Sequence, residues 1–513
     1  MRGAFTFWCV SLFLLQLVGC MPLRTWAPGS DSLLQRSRDF LIRPFSEPDH
    51  VQLVQAVAAE SVIQYRIRPA GTVTGKKVLS LTDCRKLALA RSLELQMARF
   101  EEAAKQAIEQ SNRLKMLPHL VGSGELSERD NQSYSYSEVL GAEGKIPPPV
   151  PNYQGNQEPG VTNYAVGRDR HALRWSVELR WSPTDTALAY YLTMNNRNDS
   201  RKQHYARVRM TQRLFGLVDG AFGRVLSLQE AVPIAQRLVD ILRDSTAKTE
   251  KLFRANLVNP EDYYDRKKRL VRAERLLESL VTELHHQRSL LAGAMQISPD
   301  SRPDDGFCLE GELVATCLNE PIANLEMVAV RNRPEAYVAG LDYLSSVNDL
   351  RRTIVKFFPR VSGYWRKSGD QDRHLYHKDW KEIGLIASVD LLEWAANVAE
   401  SRAARHLTEK AERGISAVAL TITSEVRIAA LKYMDAVQNV VLAQQALAAS
   451  EQVLKAKQAR AALDSLQKLA VADSQAEVLQ ERIEVIRALG QAQAAKADLE
   501  TAMGTNYHEP LFR

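Results

Sequence analysis

Apolar and polar positions along the chain change period in a recurring order. Val225, Leu228, Val232, Ala235, Val239 and Leu242 step by three and four, as do Leu270, Ala273, Leu277, Leu280 and Leu284. This spacing predicts heptad seams between packed helices. Tyr190–Ser245 holds no proline except Pro233, and Ala395–Leu454 holds none. At 1.5 Å per residue these stretches predict helices of roughly 80 and 90 Å. Return helices are expected from Pro260 to Met295 and from Leu466 to Met503, with turns near Asn256–Pro260 and Ala461–Ser465. Hairpins of that length cannot fold into a compact globule.

Ahead of each hairpin the period falls to two. Leu173, Trp175, Val177, Leu179 and Trp181 alternate with Arg174, Ser176, Glu178 and Arg180, giving one apolar face and one largely charged face. In the second half Ile383, Leu385, Ala387, Val389 and Leu391 alternate with Gly384, Ile386, Ser388 and Asp390. Each run is about nine residues, the length a tilted strand needs to cross a bilayer. Partner strands are expected near His119–Leu126 and Arg360–Arg366. Of the 7 tryptophans, Trp175, Trp181, Trp365, Trp380 and Trp394 fall in these regions, and aromatics at strand ends suit a membrane interface. A soluble sheet packed on a core would also alternate, so that reading stays open.

The two halves repeat. Ala88–Gly122 aligns with Ala329–Gly363 without a gap at an offset of 241 (359 − 118), matching Glu94 with Glu335, Ala98 with Ala339 and Pro118 with Pro359. Each copy is a helical stretch that stops at a proline. Further on, Ser176–Leu179 aligns with Ser388–Leu391 at an offset of 212 (388 − 176). The fall from 241 to 212 assigns the first copy 29 extra residues between Gly122 and Ser176. Between the strands lie two loops. One, roughly Ser127–His171, is long, irregular and holds Tyr134, Tyr136 and Pro147–Pro151; the other, near Lys367–Asp379, is shorter. His374 and His377 sit in the second with Asp379 close by, where metal capture is the alternative to ordinary solvation.

Four strands cannot close a barrel. A sheet left open in lipid would strand unpaired backbone groups at several kcal/mol each, so strands in a membrane require several chains to share one barrel.

Composition narrows the class. The chain has 513 residues, 45% hydrophobic and 25% charged, with a formal net charge of +6. That balance belongs to a folded chain of two or more domains. Basic residues are scattered among acidic ones, which gives a nucleic-acid role no patch to stand on. No internal run of 18 apolar residues predicts a transmembrane helix in the mature chain. No catalytic triad, phosphate-binding glycine loop or paired catalytic carboxylates stand out, so no enzyme activity, cofactor or metal is expected.

The N-terminus carries an address. Arg2 is followed by the apolar stretch Ala4–Val18 and by Leu17-Val18-Gly19-Cys20, a secretory signal whose end resembles the bacterial lipobox. The resemblance implies that Cys20 becomes the first mature residue and carries diacylglycerol and palmitate. Met21 follows, pointing to the outer membrane rather than the inner one. Cys9 leaves with the signal. Cys308 and Cys317 either close a small disulfide loop or stay as two buried thiols, and Cys84 is a core residue at a helix start.

The order of these features resembles the TolC-type outer-membrane efflux family over nearly all of the mature chain. The stretches "LSLTDCRKLALARSLELQMARFEEAAKQ", "AVRNRPEAYVAG" with "FFPRVSG", and "ALDSLQKLAVADSQAEV" with "LETAMGT" carry the likeness. The family implies an α+β, predominantly α fold. Each protomer has two repeats of long coiled-coil helical hairpins plus four transmembrane β-strands, and a homotrimer shares a 12-stranded barrel continued by a helical tunnel. It also implies an equatorial region, for which Met21–Leu79, Ile297–Pro321 and the C-terminal tail are the candidates. The organisation expected is a signal (1–19), an acylated equatorial segment (20–79), repeat 1 (80–297), an inter-repeat segment (298–321), repeat 2 (322–505) and a tail (506–513).

The family further implies a periplasmic adaptor and an inner-membrane transporter as partners, outer-membrane lipid around the barrel, and a periplasmic gate closed by side chains. Asp464 and Asp262 are the local candidates for that gate, beside a plain role as solvated acids at helix starts. Where the family often has glycine at the two helix turns, this chain shows Asn256 and Ala462. The expected function is passive exit through an outer-membrane channel. Export of a protein or polysaccharide is one alternative, and a periplasmic coiled-coil scaffold lipoprotein that spans no membrane is another.

Overall fold

A computed structural model describes residues 63–67, 78–130, 133–137, 163–168, 170–297, 307–373, 375–461 and 467–507. Two short strands, β1 (Ile63–Ile67) and β2 (Val78–Leu79), precede the first repeat. That repeat runs α1 (Leu81–Arg91), α2 (Leu93–Leu114), β3 (His119–Glu128), β4 (Ser133–Ser137), β5 (Asn163–Arg168), β6 (His171–Trp181), α3 (Pro183–Arg254) and α4 (Pro260–Ala294). After β7 (Cys308–Leu309) and β8 (Gly311–Ala315) the second repeat runs α5 (Ile322–Asn332), α6 (Pro334–Val355), β9 (Arg360–Asp370), β10 (Asp379–Ser388), α7 (Leu391–Ala461) and α8 (Gln467–Met503). Strand β1 pairs antiparallel with β8 and β2 pairs parallel with β7, so the segments ahead of the two repeats are joined.

Local chemistry sets the boundaries. Ser80 caps α1 in a capping box with Asp83, and Ser92 caps α2 by accepting the Leu95 N–H. The helix expected to run unbroken to Pro118 is therefore interrupted at Ser92. Its counterpart is interrupted at Arg333, ahead of Pro334, which has no N–H to give up at a helix start. Pro118 and Pro359 each stand immediately before a strand, β3 and β9. Helix α3 ends on a Schellman motif. Asn256 adopts φ 57°, the Leu257 N–H reaches the Leu252 carbonyl, and the Asn256 N–H reaches that of Phe253. Asparagine thus fills the left-handed position where a glycine was expected.

The heptad reading holds in the packing. Val225, Leu228, Ala235, Val239 and Leu242 of α3 are buried with Ala273, Leu280 and Leu284 of α4 and with Ile483, Ile486 and Leu489 of α8 in one apolar core. The long helices have 72 and 71 residues and the return helices 35 and 37. In the upper half the helices lie in the order α2–α3–α6–α7, and in the lower half α4–α3–α8–α7.

Two expectations are corrected. The span Ser127–His171 is not wholly irregular: β3 and β6 extend to its ends, and β4 pairs antiparallel with β5 inside it. The last strand lies at Asp379–Ser388 rather than Ile383–Leu391. Asp390 ends it by capping α7, its carboxylate accepting the Leu392 and Glu393 N–H groups at 3.0 Å; Leu391 and Trp394 are helical. The cap of α3 is Ser182, so the repeats match there at an offset of 208 (390 − 182), not 212. The excess in the first copy becomes 33 residues (241 − 208).

An ion pair fixes both offsets independently. Arg85 of α1 donates to Asp219 of α3, its Nε lying 2.7 Å from Oδ1. At 241 and 208 residues further on stand Glu326 and Arg427, joined at 2.8 Å between α5 and α7. The same contact is present in each repeat with its charges exchanged.

Candidate pore sheet and helical tips

Strands β3, β6, β9 and β10 form one antiparallel sheet in the order β3–β6–β9–β10. They have 10, 11, 11 and 10 residues, which at about 3.4 Å per residue gives roughly 35 Å along the strand. At a tilt near 45° that spans the apolar band of a membrane barrel, about 25 Å. Register sorts the side chains. Leu120, Leu179, Trp365 and Ile383 share a row, and these large apolar side chains stand exposed on one face. Trp175 lies over Gly369 in the next strand, a place that a Cβ would take from it.

The opposite face is charged and internally paired. Arg174 donates to Asp370 at 2.9 Å and lies 4.0 Å from Glu125. Glu178 accepts from Arg366 at 2.6 Å and from Arg180 at 2.7 Å, while Arg366 also lies 3.5 Å from Glu382. Ser123 and Ser176 share a hydrogen bond at 2.8 Å. The face is thus crossed by ion pairs that link all four strands. The alternation read in β6 is less strict in its neighbours: Lys367 and Lys381 fall in rows with Val177 on the apolar face, and Val121 lies beside Glu178 on the charged one. What the sequence concealed is its cross-strand pairing, because Glu178 and Arg366 are 188 positions apart.

The sheet is open at both edges. Strand β3 and strand β10 each bond to one neighbour only, among the described residues. Each edge continues into a helix with exposed apolar residues: Met97 and Phe100 on α2, Leu407 and Leu420 on α7. A window of α7 is long and apolar enough to cross a membrane by length and composition. Its Ile422, Val426 and Ala430 pack into a core with α5 and α8, whereas Leu420, Ile428 and Leu431 lie on the open side.

At the far end, Phe253 stacks on Tyr263 at 5.0 Å beside the Asn256 turn. Arg266 of α4 reaches Asp473 of α8 at 2.9 Å and the Ser245 hydroxyl at 2.8 Å, tying the two hairpins together. Asp262 is exposed in the first turn of α4, favourable beside the helix N-terminus. Asp464, Ala462, Cys20 and His374 lie outside the described residues. His377 stacks edge-on with Tyr376 in the β9–β10 turn, and no group of metal-binding side chains occurs among the described residues.

Cys308 and Cys317, one option for a disulfide, are not joined in the structure. Cys308 is buried and Cys317 exposed. Cys308 lies in β7, paired with β2, and Cys317 lies two residues beyond β8, paired with β1. Cys84 is fully buried at the start of α1, and burial pushes its thiol up to about 12.

Where α3, the α5–α6 break and the end of α8 meet, a buried polar knot occurs that sequence reasoning missed. Arg333 holds Glu335 at 2.7 Å and also pairs with Glu425. Arg209 lies 2.6 Å from Glu335, a charge contact without hydrogen-bond alignment, and donates to the Thr501 carbonyl at 2.8 Å. Burial would raise the Glu335 carboxyl, but the Arg333 hydrogen bond and both guanidinium charges outweigh it and hold it below the usual range.

Comparison with known proteins gives a consistent picture. Residues 351–505 match the outer membrane efflux protein family. The fold is similar to the CmeC outer membrane channel of Campylobacter jejuni, at 11% identity over 84% of this chain and 87% of that one, with a TM-score of 0.64. It is also similar to the MtrE outer membrane channel of Neisseria gonorrhoeae, at 13% identity over 86% and 95%, with a TM-score of 0.61. The outer membrane protein VceC of Vibrio cholerae aligns at 14% identity over 83% and 96%, with a TM-score of 0.61. No curated protein sequence matches. The chain resembles the TolC-type outer-membrane efflux family, as its sequence led us to expect.

Proposed function

We propose that three copies of this chain form an outer-membrane channel, the exit component of a tripartite efflux or export system. One observation carries the reading: a sheet of membrane-spanning length with an exposed apolar face, an ion-paired face and two open edges. An isolated sheet of this kind satisfies neither lipid nor its own backbone. Joining β10 of one protomer to β3 of the next would close a 12-stranded barrel, with the apolar face towards lipid and the charged face around water. The helices would continue it as a tunnel into the periplasm, where an adaptor and an inner-membrane transporter meet the tips. Asp262 and Asp464 are the gate candidates there, and the Arg266–Asp473 ion pair ties the two hairpins of one chain near Asp262.

Residues 80–297 and 322–505 serve as the two repeats. The pairing of β1 and β2 with β8 and β7 supports grouping 20–79 with 298–321 as an equatorial belt. Cys20 would carry the lipid anchor, whose multiple acyl chains exceed what stable attachment needs.

Purified full-length protein in detergent should be a trimer that gives discrete conductance in planar bilayers. A monomer that stays silent there would favour the scaffold reading instead. Replacing Cys20 with Ala should abolish palmitate labelling; unchanged labelling would remove the anchor from the proposal.

A further inference from the structure

The junction between the two repeats inside one chain is α3 against α6 above and α3 against α8 below. The offsets of 208 and 241 state what stands at the same places on the outer edges: α7 corresponds to α3, α2 to α6, and α4 to α8. Across the inner junction Lys202 of α3 holds Asp342 of α6 at 2.6 Å. Their counterparts are Lys410 of α7 (410 − 208 = 202) and Glu101 of α2 (342 − 241 = 101). The charges are conserved in sign and side, both residues are exposed, and neither holds an ion pair among the described residues.

The apolar positions say the same. Phe100 on α2 is 75% exposed, whereas its counterpart Leu341 on α6 is 8% exposed. On α7, Leu420, Leu431, Leu442 and Val453 recur every 11 residues, a spacing that holds one face along a helix. All are exposed, yet the α3 residues in their places, Gln212, Gly223, Ile234 and Ser245, are all buried. Gly223 lies against Gln493 of α8 and Gln212 donates to the Gly504 carbonyl just beyond it. Gln212 and Gly223 are thus buried at the inner junction, whereas their counterparts Leu420 and Leu431 are bare at the outer edge.

We propose that the contact between protomers replays the junction between repeats, with Lys410 of one chain paired to Glu101 of the next. This rests on the ring reading above. In the same seam Phe100 of the next chain packs beside α7, and the stripe Leu420–Val453 seats on the next chain's α4. Small residues let α3 and α8 approach closely. With leucine at 431 where α3 has Gly223, the seam between protomers stands wider at that level than the seam within one.

A zero-length carbodiimide tests the pair in the full-length protein in detergent. Chains labelled with heavy nitrogen and unlabelled chains are mixed before assembly, then treated, digested and read by mass spectrometry. The expected product is an amide between the Lys410 amine and the Glu101 carboxyl, with heavy and light halves, lost in Lys410→Gln. Charge reversal supplies the second arm: K410E and E101K should each lower the temperature at which the oligomer dissociates, and the double reversal should restore it. Leu442→Asp, at an exposed position, should release monomers with unchanged helical circular dichroism. An oligomer with no mixed Lys410–Glu101 product, and unaffected by either reversal, would overturn the proposed seam and leave the ring standing. Absence of any oligomer would overturn both.

Discussion

Arg333 shows how much one side chain can hold at the meeting of several elements. Its side chain is 4% exposed and carries two carboxylates, Glu335 and Glu425, while Arg209 faces the first of them. Removing Glu335 takes from Arg209 its facing carboxylate and leaves Arg333 with Glu425 alone, so two buried guanidinium groups lose part of their compensation. Because the Glu335 carboxyl is held below its usual range, its contribution to stability is complete above the unfolded value of about 4.3 and is lost as pH falls through the folded one. Melting followed by circular dichroism from pH 7 to 3 should therefore show a fall in stability below about pH 4.3 that is weakened in Glu335→Gln, with that variant less stable than the parent at pH 7. Nothing in the sequence announces this knot. Arg209 and Thr501 are 292 positions apart, and only the arrival of α8 against α3 brings them together.

Among elements, the pairing of Arg85 with Asp219 and of Glu326 with Arg427 shows one contact formed with either polarity. The variant R85E/D219R, which gives the first repeat the polarity of the second, should melt close to the parent. Either single reversal should melt lower by an amount set by two like charges at a part-buried site; equal melting of all three would show the pair to be idle. At the tips, Arg266→Ala should loosen the tie between hairpins and raise the open fraction in single-channel recordings, since Asp473 and Ser245 then lose their shared donor. Heptad spacing, the prolines before the strands and the Asn256 turn made the long elements legible in the sequence. The breaks at Ser92 and Arg333 were not, because helical periodicity carries across a single capping residue. The last strand was read four residues late, because Val389 and Leu391 continue its alternation while the Asp390 cap overrides it.

For the molecule as a whole, four strands and two long hairpins were foreseeable because period two and period 3.5 leave different marks on a sequence. That the strands lie side by side, with β6 against β9 bridging the two repeats, was not, since no local pattern encodes which strand meets which. The candidate site divides the same way. The charged face of β6 could be read directly, whereas the ion pairs that tie it to β3 and β9 needed the register. The offset between repeats, set by one aspartate cap, relates Lys410 and Glu101, which hold no ion pair among the described residues, to the Lys202–Asp342 pair inside the chain.

The two open edges have a further consequence, for the time before assembly. A lone protomer presents free backbone donors and acceptors along β3 and β10 beside an exposed apolar face, the template on which strands of unrelated chains add and aggregate. The features that suit a finished barrel are hazards in transit. The sheet is therefore expected to be the last part of the chain to become ordered, delayed until lipid and partner protomers are within reach, while the hairpins with their internal apolar cores form first. Chain retained in an aqueous compartment should accumulate as insoluble material through this sheet; deleting residues 119–181 and 360–388 should yield a soluble helical remnant, and equal insolubility of that deletion would place the hazard in the hairpins instead.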